Sequence, residues 1–260
     1  MEDLKQLVKD KYAALANAKN SSCCAPSSVE PVTNNIMNED YTKEAGYVAD
    51  ADLKLGCGMP IEFARIQPGN TVLDLGAGAG NDVFIARNLT GETGEVLGID
   101  FTEAMVKKAK VNKAKLGYEN VRFLQGDIED MPIPSNSIDV AISNCVMNLV
   151  PNKAKAYQEV YRVLKPGGHF SISDIVIRGD LPEVIRNAAE FYAGCVSGAT
   201  QIEPYLDHIK NAGFQDIKID KEREIDLPDE YLLEHITPEV LATFRAGNAT
   251  IYSINVFGRK

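Results

Sequence analysis

The chain has 260 residues, is 45% hydrophobic and carries a formal charge of -10, with a pI of about 4.9. That length holds one α/β domain with additions or two small domains with a full core, and the acidic balance argues against nucleic acid or an anionic membrane face as partner. No apolar run is long enough to span a bilayer, and the charged start MEDLKQLVKD has no signal-peptide core, so the expectation is a cytoplasmic protein whose thiols stay reduced.

Residues 1–19 place Leu4, Leu7, Val8, Ala14, Leu15 and Ala18 at helical spacing, which predicts an amphipathic helix. SSCCAPSS, Ser21 to Ser28, reads as a loop bearing two adjacent thiols, Cys23 and Cys24. Neighbouring cysteines do not readily bond to each other across a planar trans peptide. Each is therefore available to a distant partner, or is an incidental thiol. LGCGMP, Leu55 to Pro60, sets Cys57 between two glycines, which leave the thiol sterically open. Residues 1–60 are expected to form a thiol-bearing cap, and 61–260 the main domain. A short helix over Ile61 to Ile66 leads into that domain.

TVLDLGAGAG, Thr71 to Gly80, is the organising stretch. A buried strand ends in Asp74, and Gly76, Gly78 and Gly80 turn the chain into a helix starting near Asn81. Strand, glycine turn and helix make the first unit of an α/β nucleotide-binding sheet. The glycines do not have the Gly-x-Gly-x-x-Gly spacing of a dinucleotide fingerprint. Asp74 beside the turn suits a ligand carrying positive charge better than a pyrophosphate. VLGID ends a second strand in Asp100, 20 residues after Gly80, where a ribose is gripped by its two hydroxyls.

A helix follows from Thr102 to Gly117, then a strand over Val121 to Leu124. Asp127 next to apolar Ile128 fits an adenine site, the acid taking the exocyclic amine and Ile128 packing on the ring. A fourth strand, Ile138 to Ser143, delivers Asn144 and Cys145 to the carboxyl edge of the sheet, where open α/β sheets bind ligands. Lys153 to Leu164 is helical and closed by KPGG, and the fifth strand runs from His169 to Ile177. Residues 181–212 read as a helical insertion broken near Cys195. Two further strands, 217–225 and 250–259, flank a helical stretch over Asp229 to Phe244. The five cysteines point to thiol chemistry, metal or metalloid binding or small buried residues; a disulfide framework is not expected.

The strand–acid–glycine turn with an acid at the next strand end resembles the class I S-adenosylmethionine-dependent methyltransferases. That resemblance implies a seven-stranded Rossmann-like sheet with helices on both faces and an antiparallel final strand. It also implies that Asp74, Gly76, Ala77, Gly78, Asp100, Phe101, Asp127, Ile128 and Asn144 bind the cofactor. Within that class, LKLGCGMP, SNCVMNLVPNK and GCVSGA look like segments of the arsenite S-adenosylmethionine methyltransferases. By that likeness Cys57, Cys145 and Cys195 carry As(III), with Cys145 and Cys195 holding it through methyl transfer. Cys23 or Cys24 then matches an additional N-terminal cysteine that forms a disulfide in the redox cycle. The substrate is arsenite or its thiol adducts, and an external thiol or thioredoxin system resets the protein. Three thiolates suit a soft centre, and the lone pair of trivalent arsenic attacks a methyl with no proton to remove. Two departures stand out. Lys54 and Leu55 occupy the place of a tyrosine that covers the cofactor in longer relatives, and the cysteine-bearing C-terminal domain of longer relatives is not expected here. Two other readings remain at this stage: methylation of a small organic substrate such as a quinone, with incidental cysteines, and thiophilic metal or metalloid binding without turnover.

Overall fold

The computed structural model describes residues 2–17, 38–181, 199–234 and 236–260. Cys23, Cys24 and Cys195 lie outside the described residues, as does most of the expected helical insertion.

Helix α1 spans Glu2–Asn17 and a four-residue α2 spans Pro60–Phe63. The alternating part follows as β1 Thr71–Leu75, α3 Asn81–Thr90, β2 Glu95–Asp100, α4 Glu103–Leu116, β3 Val121–Gln125, β4 Ile138–Asn144, α5 Lys153–Val163 and β5 Leu164–Arg178. The chain then adds β6 Thr200–Gln201, α6 Ile202–Asn211, β7 Gln215–Ile225, α7 Asp229–Leu233, α8 Pro238–Ala246 and β8 Thr250–Arg259. The sheet order is β3-β2-β1-β4-β5-β8-β7, with two-residue β6 beside β5. Strands β1 to β5 pair in parallel, and β8 runs antiparallel to both β5 and β7. This is the class I methyltransferase sheet, with the antiparallel final strand in place.

Side-chain alternation along the strands sends successive residues to opposite faces. Val72, Val96, Val121 and Val140 pack with Val83 and Phe84 of α3 and Val106 and Ala109 of α4. Leu73, Leu75, Leu97 and Ile99 pack on the other face with Tyr157 and Val160 of α5 and Tyr205 and Ile209 of α6. A strand buried on both sides reads as a continuous apolar run, which is why TVLDL was legible as a strand. A third cluster joins Cys57 and Cys145 to Ile175, Ile177, Leu227, Phe244 and Ile251.

Among the boundaries that differ from expectation, two have a plain physical cause. The KPGG segment belongs to β5, because Gly167 N donates to Lys260 O at 3.0 Å and Lys260 N to Gly168 O at 2.9 Å, drawing the turn into the sheet edge. The helical stretch after β7 is split into α7 and α8, the second starting at Pro238 behind a Thr237 cap, where proline favours a helix's first turn. No helix among the described residues is long and apolar enough to cross a membrane.

Candidate functional site

The strand order reverses between β1 and β4, so their carboxyl ends part and leave a crevice. A cavity of about 500 Å³ opens there, lined by Asp74, Gly76, Ala77, Gly78, Asp82, Asp100, Phe101, Asp127, Ile128, Asn144 and Cys145 among others. Every residue expected to bind the cofactor lines this one cavity.

The glycine turn explains its shape. Gly76, Gly78 and Gly80 have φ of 70°, 51° and 100°, values that L side chains rarely adopt. A Cβ at Gly76 would run into Val146, and one at Gly80 would meet Phe123 at 2.8 Å, whereas at Gly78 nothing lies within 4 Å. Two of the glycines let the protein close on itself, and the third leaves room for a ligand.

Three carboxylates surround that room. Asp74 is 3% exposed; its burial, with Asp82 and Asp100 close by, holds its carboxyl well above the usual range. Burial pushes Asp82 up to about 6. Asp100 is also raised by burial, against the pull of the Thr102 and Gly78 backbone N–H groups, which donate to its oxygens at 2.8 and 3.0 Å. Oδ1 of Asn81 and Oδ1 of Asp82 are buried without a hydrogen-bond partner. Crowded buried carboxylates disfavour their own ionisation, and a cation placed among them reverses that cost. Acceptors with free lone pairs, clustered negative charge and a turn open at Gly78 fit a cofactor that carries an amino group and a sulfonium. Asp82 was not among the expected residues. Its only sequence signal was an acid in the first turn of the helix behind the glycines, a common helix-end preference.

Two expected cofactor residues already have other partners. Asp127 accepts from Lys5 Nζ at 2.6 Å and from Glu129 N at 2.9 Å, so a cation from α1 stands where an adenine amine was expected. Burial works against the Asp127 charge, but the bonds from Lys5 and Glu129 hold its pKa below the ordinary value. Asn144 has its amide fully engaged by protein. Its Oδ1 accepts from Cys57 N and Gly58 N at 3.0 and 3.3 Å, and its Nδ2 donates to Tyr41 Oη and Gly58 O at 2.9 and 2.8 Å. Two acceptor and two donor positions are an amide's full capacity. Asn144 therefore pins the Cys57 loop instead of offering a ligand a hydrogen bond. Gly56 is required for that approach, since a Cβ there would lie 2.5 Å from Asn144 Nδ2.

The pinned loop brings two thiols together. Cys57 and Cys145, 88 residues apart in sequence, form a disulfide with a Cα–Cα distance of 5.7 Å. From the sequence, reduced thiols and no disulfide framework were expected, and this bond departs from that expectation; neither the spacing nor the local sequence of either cysteine announces the other. Both are buried, at 1% and 2% exposure. Cys145 lies at φ 61°, a left-handed conformation that costs a non-glycine residue about 1 kcal/mol or more and that concentrates at functional sites. Its N–H donates to Ser173 O at 2.8 Å, which ties the turned residue to β5. Of the three expected arsenic ligands the structure brings two together. The third, Cys195, and both Cys23 and Cys24 are outside the described residues.

A family model described as a methyltransferase domain matches residues 66–225. An arsenite methyltransferase of Halobacterium salinarum is 37% identical over 230 residues, which are 84% of this chain and 59% of that protein. The arsenite methyltransferase of Mus musculus is 42% identical over 153 residues, 55% of this chain and 40% of the relative. Among solved structures, an arsenic (III) S-adenosylmethionine methyltransferase from Chlamydomonas reinhardtii superposes with a TM-score of 0.66 at 37% identity, covering 79% of this chain and 67% of that one. The chain spans 59% and 40% of the length of the two curated relatives. With a family match across more than half of its length, the chain belongs to the methyltransferase-domain family, with arsenite methyltransferases among its relatives.

Proposed function

We propose that this chain transfers a methyl group from S-adenosylmethionine to trivalent arsenic held on its thiolates. The observation that carries the reading is the meeting of Cys57 with Cys145, which lines the cavity that holds the glycine turn and its three acids. Two thiols at bonding distance, once reduced, are placed to clamp one soft atom.

When bound, S-adenosylmethionine supplies an electrophilic methyl on a positively charged sulfur. Asp74, Asp82 and Asp100 supply the negative field that favours such a cation. Asn144 and Ser173 fix the Cys57 loop and Cys145, so that arsenite, or its thiol adduct, exchanges onto both sulfurs. With the cofactor bound, the methyl would pass to the lone pair of the thiolate-held arsenic, and the sulfur that loses it would keep the bonding electron pair. No general base is required, and the chain's contribution is chiefly positioning. The transfer formally oxidises arsenic by two electrons. Two thiolates return those electrons as they close into a disulfide, and two equivalents of an external thiol, or a thioredoxin system, reopen it. Such a reset belongs in a reducing compartment, the cytoplasm. Cys195 is assigned as the third sulfur, Cys23 or Cys24 as the additional redox thiol, and residues 1–60 as a cap over the site.

The test is arsenic speciation by liquid chromatography with mass detection, after incubation with S-adenosylmethionine, arsenite and excess thiol. Methylated arsenic from the native chain, abolished in Cys57→Ser, Cys145→Ser or Cys195→Ser, is the expected result. A chain that binds S-adenosylmethionine and yields no methylated arsenic overturns the reading.

A further inference from the structure

Asp174 of β5 has no part in the scheme above, yet it is fully buried and its carboxylate lies within 4.8 Å of both Cys57 Sγ and Cys145 Sγ. We propose that the reduced chain binds a soft divalent cation, Zn²⁺ or Cd²⁺, through these two sulfurs and an Asp174 oxygen, in competition with arsenite.

Three features carry the site. First, its donors are held from three directions: Asn144 pins the Cys57 loop, Ser173 O holds Cys145 N at 2.8 Å, and Asp174 follows Ser173 in the central sheet. Second, the carboxylate keeps capacity for a ligand. One oxygen accepts from Ile175 N at 3.1 Å and the other from Tyr205 Oη at 3.3 Å, and the Asn148 backbone N–H also bonds the carboxylate, which leaves one of its four lone-pair positions for a ligand. Lys153 is near, but its ammonium donates to Asn148 O and Val150 O at 3.1 and 3.3 Å. A buried carboxylate with only neutral partners is costly, and a cation relieves it. Third, the spacing suits a tetrahedral ion. Metal–sulfur and metal–oxygen bonds of about 2.3 and 2.1 Å put donors roughly 3.5 to 3.8 Å apart. On reduction the two sulfurs, bonded to each other here, part to that spacing, while the Asp174 oxygen, within 4.8 Å of both, moves inward. Cys145 lines the cavity, which leaves the fourth position open to it, as at catalytic zinc sites.

Charge gives Asp174 a selective role. A divalent ion on two thiolates is neutral and still takes a third anionic donor. Arsenic bearing a hydroxyl on the same two thiolates is also neutral and needs no carboxylate. The steps balance: two small thiols reduce the Cys57–Cys145 bond and leave as their own disulfide, and the entering cation displaces one proton from each protein thiol. The site shares its sulfurs with the proposed arsenic site but does not depend on methyl transfer.

The experiment uses the full chain with Cys23→Ser, Cys24→Ser and Cys195→Ser, reduced with a phosphine and titrated with Cd²⁺. The ultraviolet thiolate-to-cadmium band is followed in competition with a chelator. One cadmium per chain is expected, lost in Cys57→Ser or Cys145→Ser. Asp174→Asn should weaken cadmium at least about tenfold and leave arsenite binding, read as arsenite-protected thiols, unchanged. Cadmium-113 resonance of the parent chain should report a mixed sulfur–oxygen donor set, and this readout stands even if Asp174→Asn does not fold. Equal cadmium affinity in a folded Asp174→Asn chain, or an all-sulfur resonance, overturns the proposal. Loss of arsenic methylation with the cadmium result intact would count only against the function proposed above.

Discussion

The two ends of the cavity are built differently. The acid end comes from one contiguous run, Asp74 to Asp82, together with Asp100 one strand away. Its shape is set by backbone: left-handed glycines, a helix start and a strand edge. The thiol end comes from segments 88 residues apart and is set by side chains, chiefly the four hydrogen bonds of Asn144. A site made of backbone tolerates change in its side chains better than in its glycines. A site made of side chains meeting at a distance fails when one staple is removed.

Removing a sulfur is the harshest test of that contrast. Cys145→Ser should lower arsenic methylation by at least about a hundredfold and leave S-adenosylmethionine affinity, measured by calorimetry, unchanged. A parallel fall in cofactor affinity would show that the two ends are one unit. Next in size is the electrostatic cost of the acid end. Asp82 has a folded pKa of about 6 against an ordinary 3.8, so the folded state keeps its proton longer than the unfolded state. Its stabilising contribution is present below the unfolded value and is lost as pH rises through that window. The Asp82→Asn chain should lack this loss, gaining roughly 2 kcal/mol over wild type between pH 4 and pH 7. Urea unfolding of the cofactor-free proteins at those two values checks it, and parallel pH profiles would refute it.

The staple comes third. Asn144→Ala leaves the backbone of the Cys57 loop short of its partners at a cost of about 1 to 2 kcal/mol. The Cys57–Cys145 equilibrium with a glutathione buffer should therefore move roughly tenfold toward the dithiol, with little change at the acid end. Smallest is Lys5→Ala. The Lys5 and Asp127 side chains are 35% and 42% exposed, and such pairs contribute under about 1 kcal/mol. Freeing Asp127 should raise S-adenosylmethionine affinity by no more than about fivefold; a fall would mean that α1 supports the cofactor instead of competing for Asp127.

The same contrast explains what the sequence disclosed. β1, its acid and its glycines were legible because buried strands, turns and helix starts each leave a local pattern, and the sheet order followed from the resemblance those patterns carried. Asn144 was legible as a residue at a strand end but not as a staple, because its partners at Cys57, Gly58 and Tyr41 are remote. Asp127 was read as open to a ligand because nothing near it in sequence announces Lys5, 122 residues away. Asp82 was missed because an acid at a helix start has an ordinary explanation. Only burial beside Asp74 makes it unusual.

The Cys57–Cys145 bond also has a topological meaning. It joins residues 88 apart in sequence into a covalent ring that contains β1 to β4 and the helices between them. A loop of that size restricts the unfolded chain by about 4 to 5 kcal/mol in the chain-entropy account. Opening the ring to admit a ligand thus makes that half of the chain easier to unfold, and closing it restores the resistance. A protease cut in the turn between α3 and β2 would separate two fragments only from the open form. The resistance of the chain to unfolding becomes a gauge of its oxidation state.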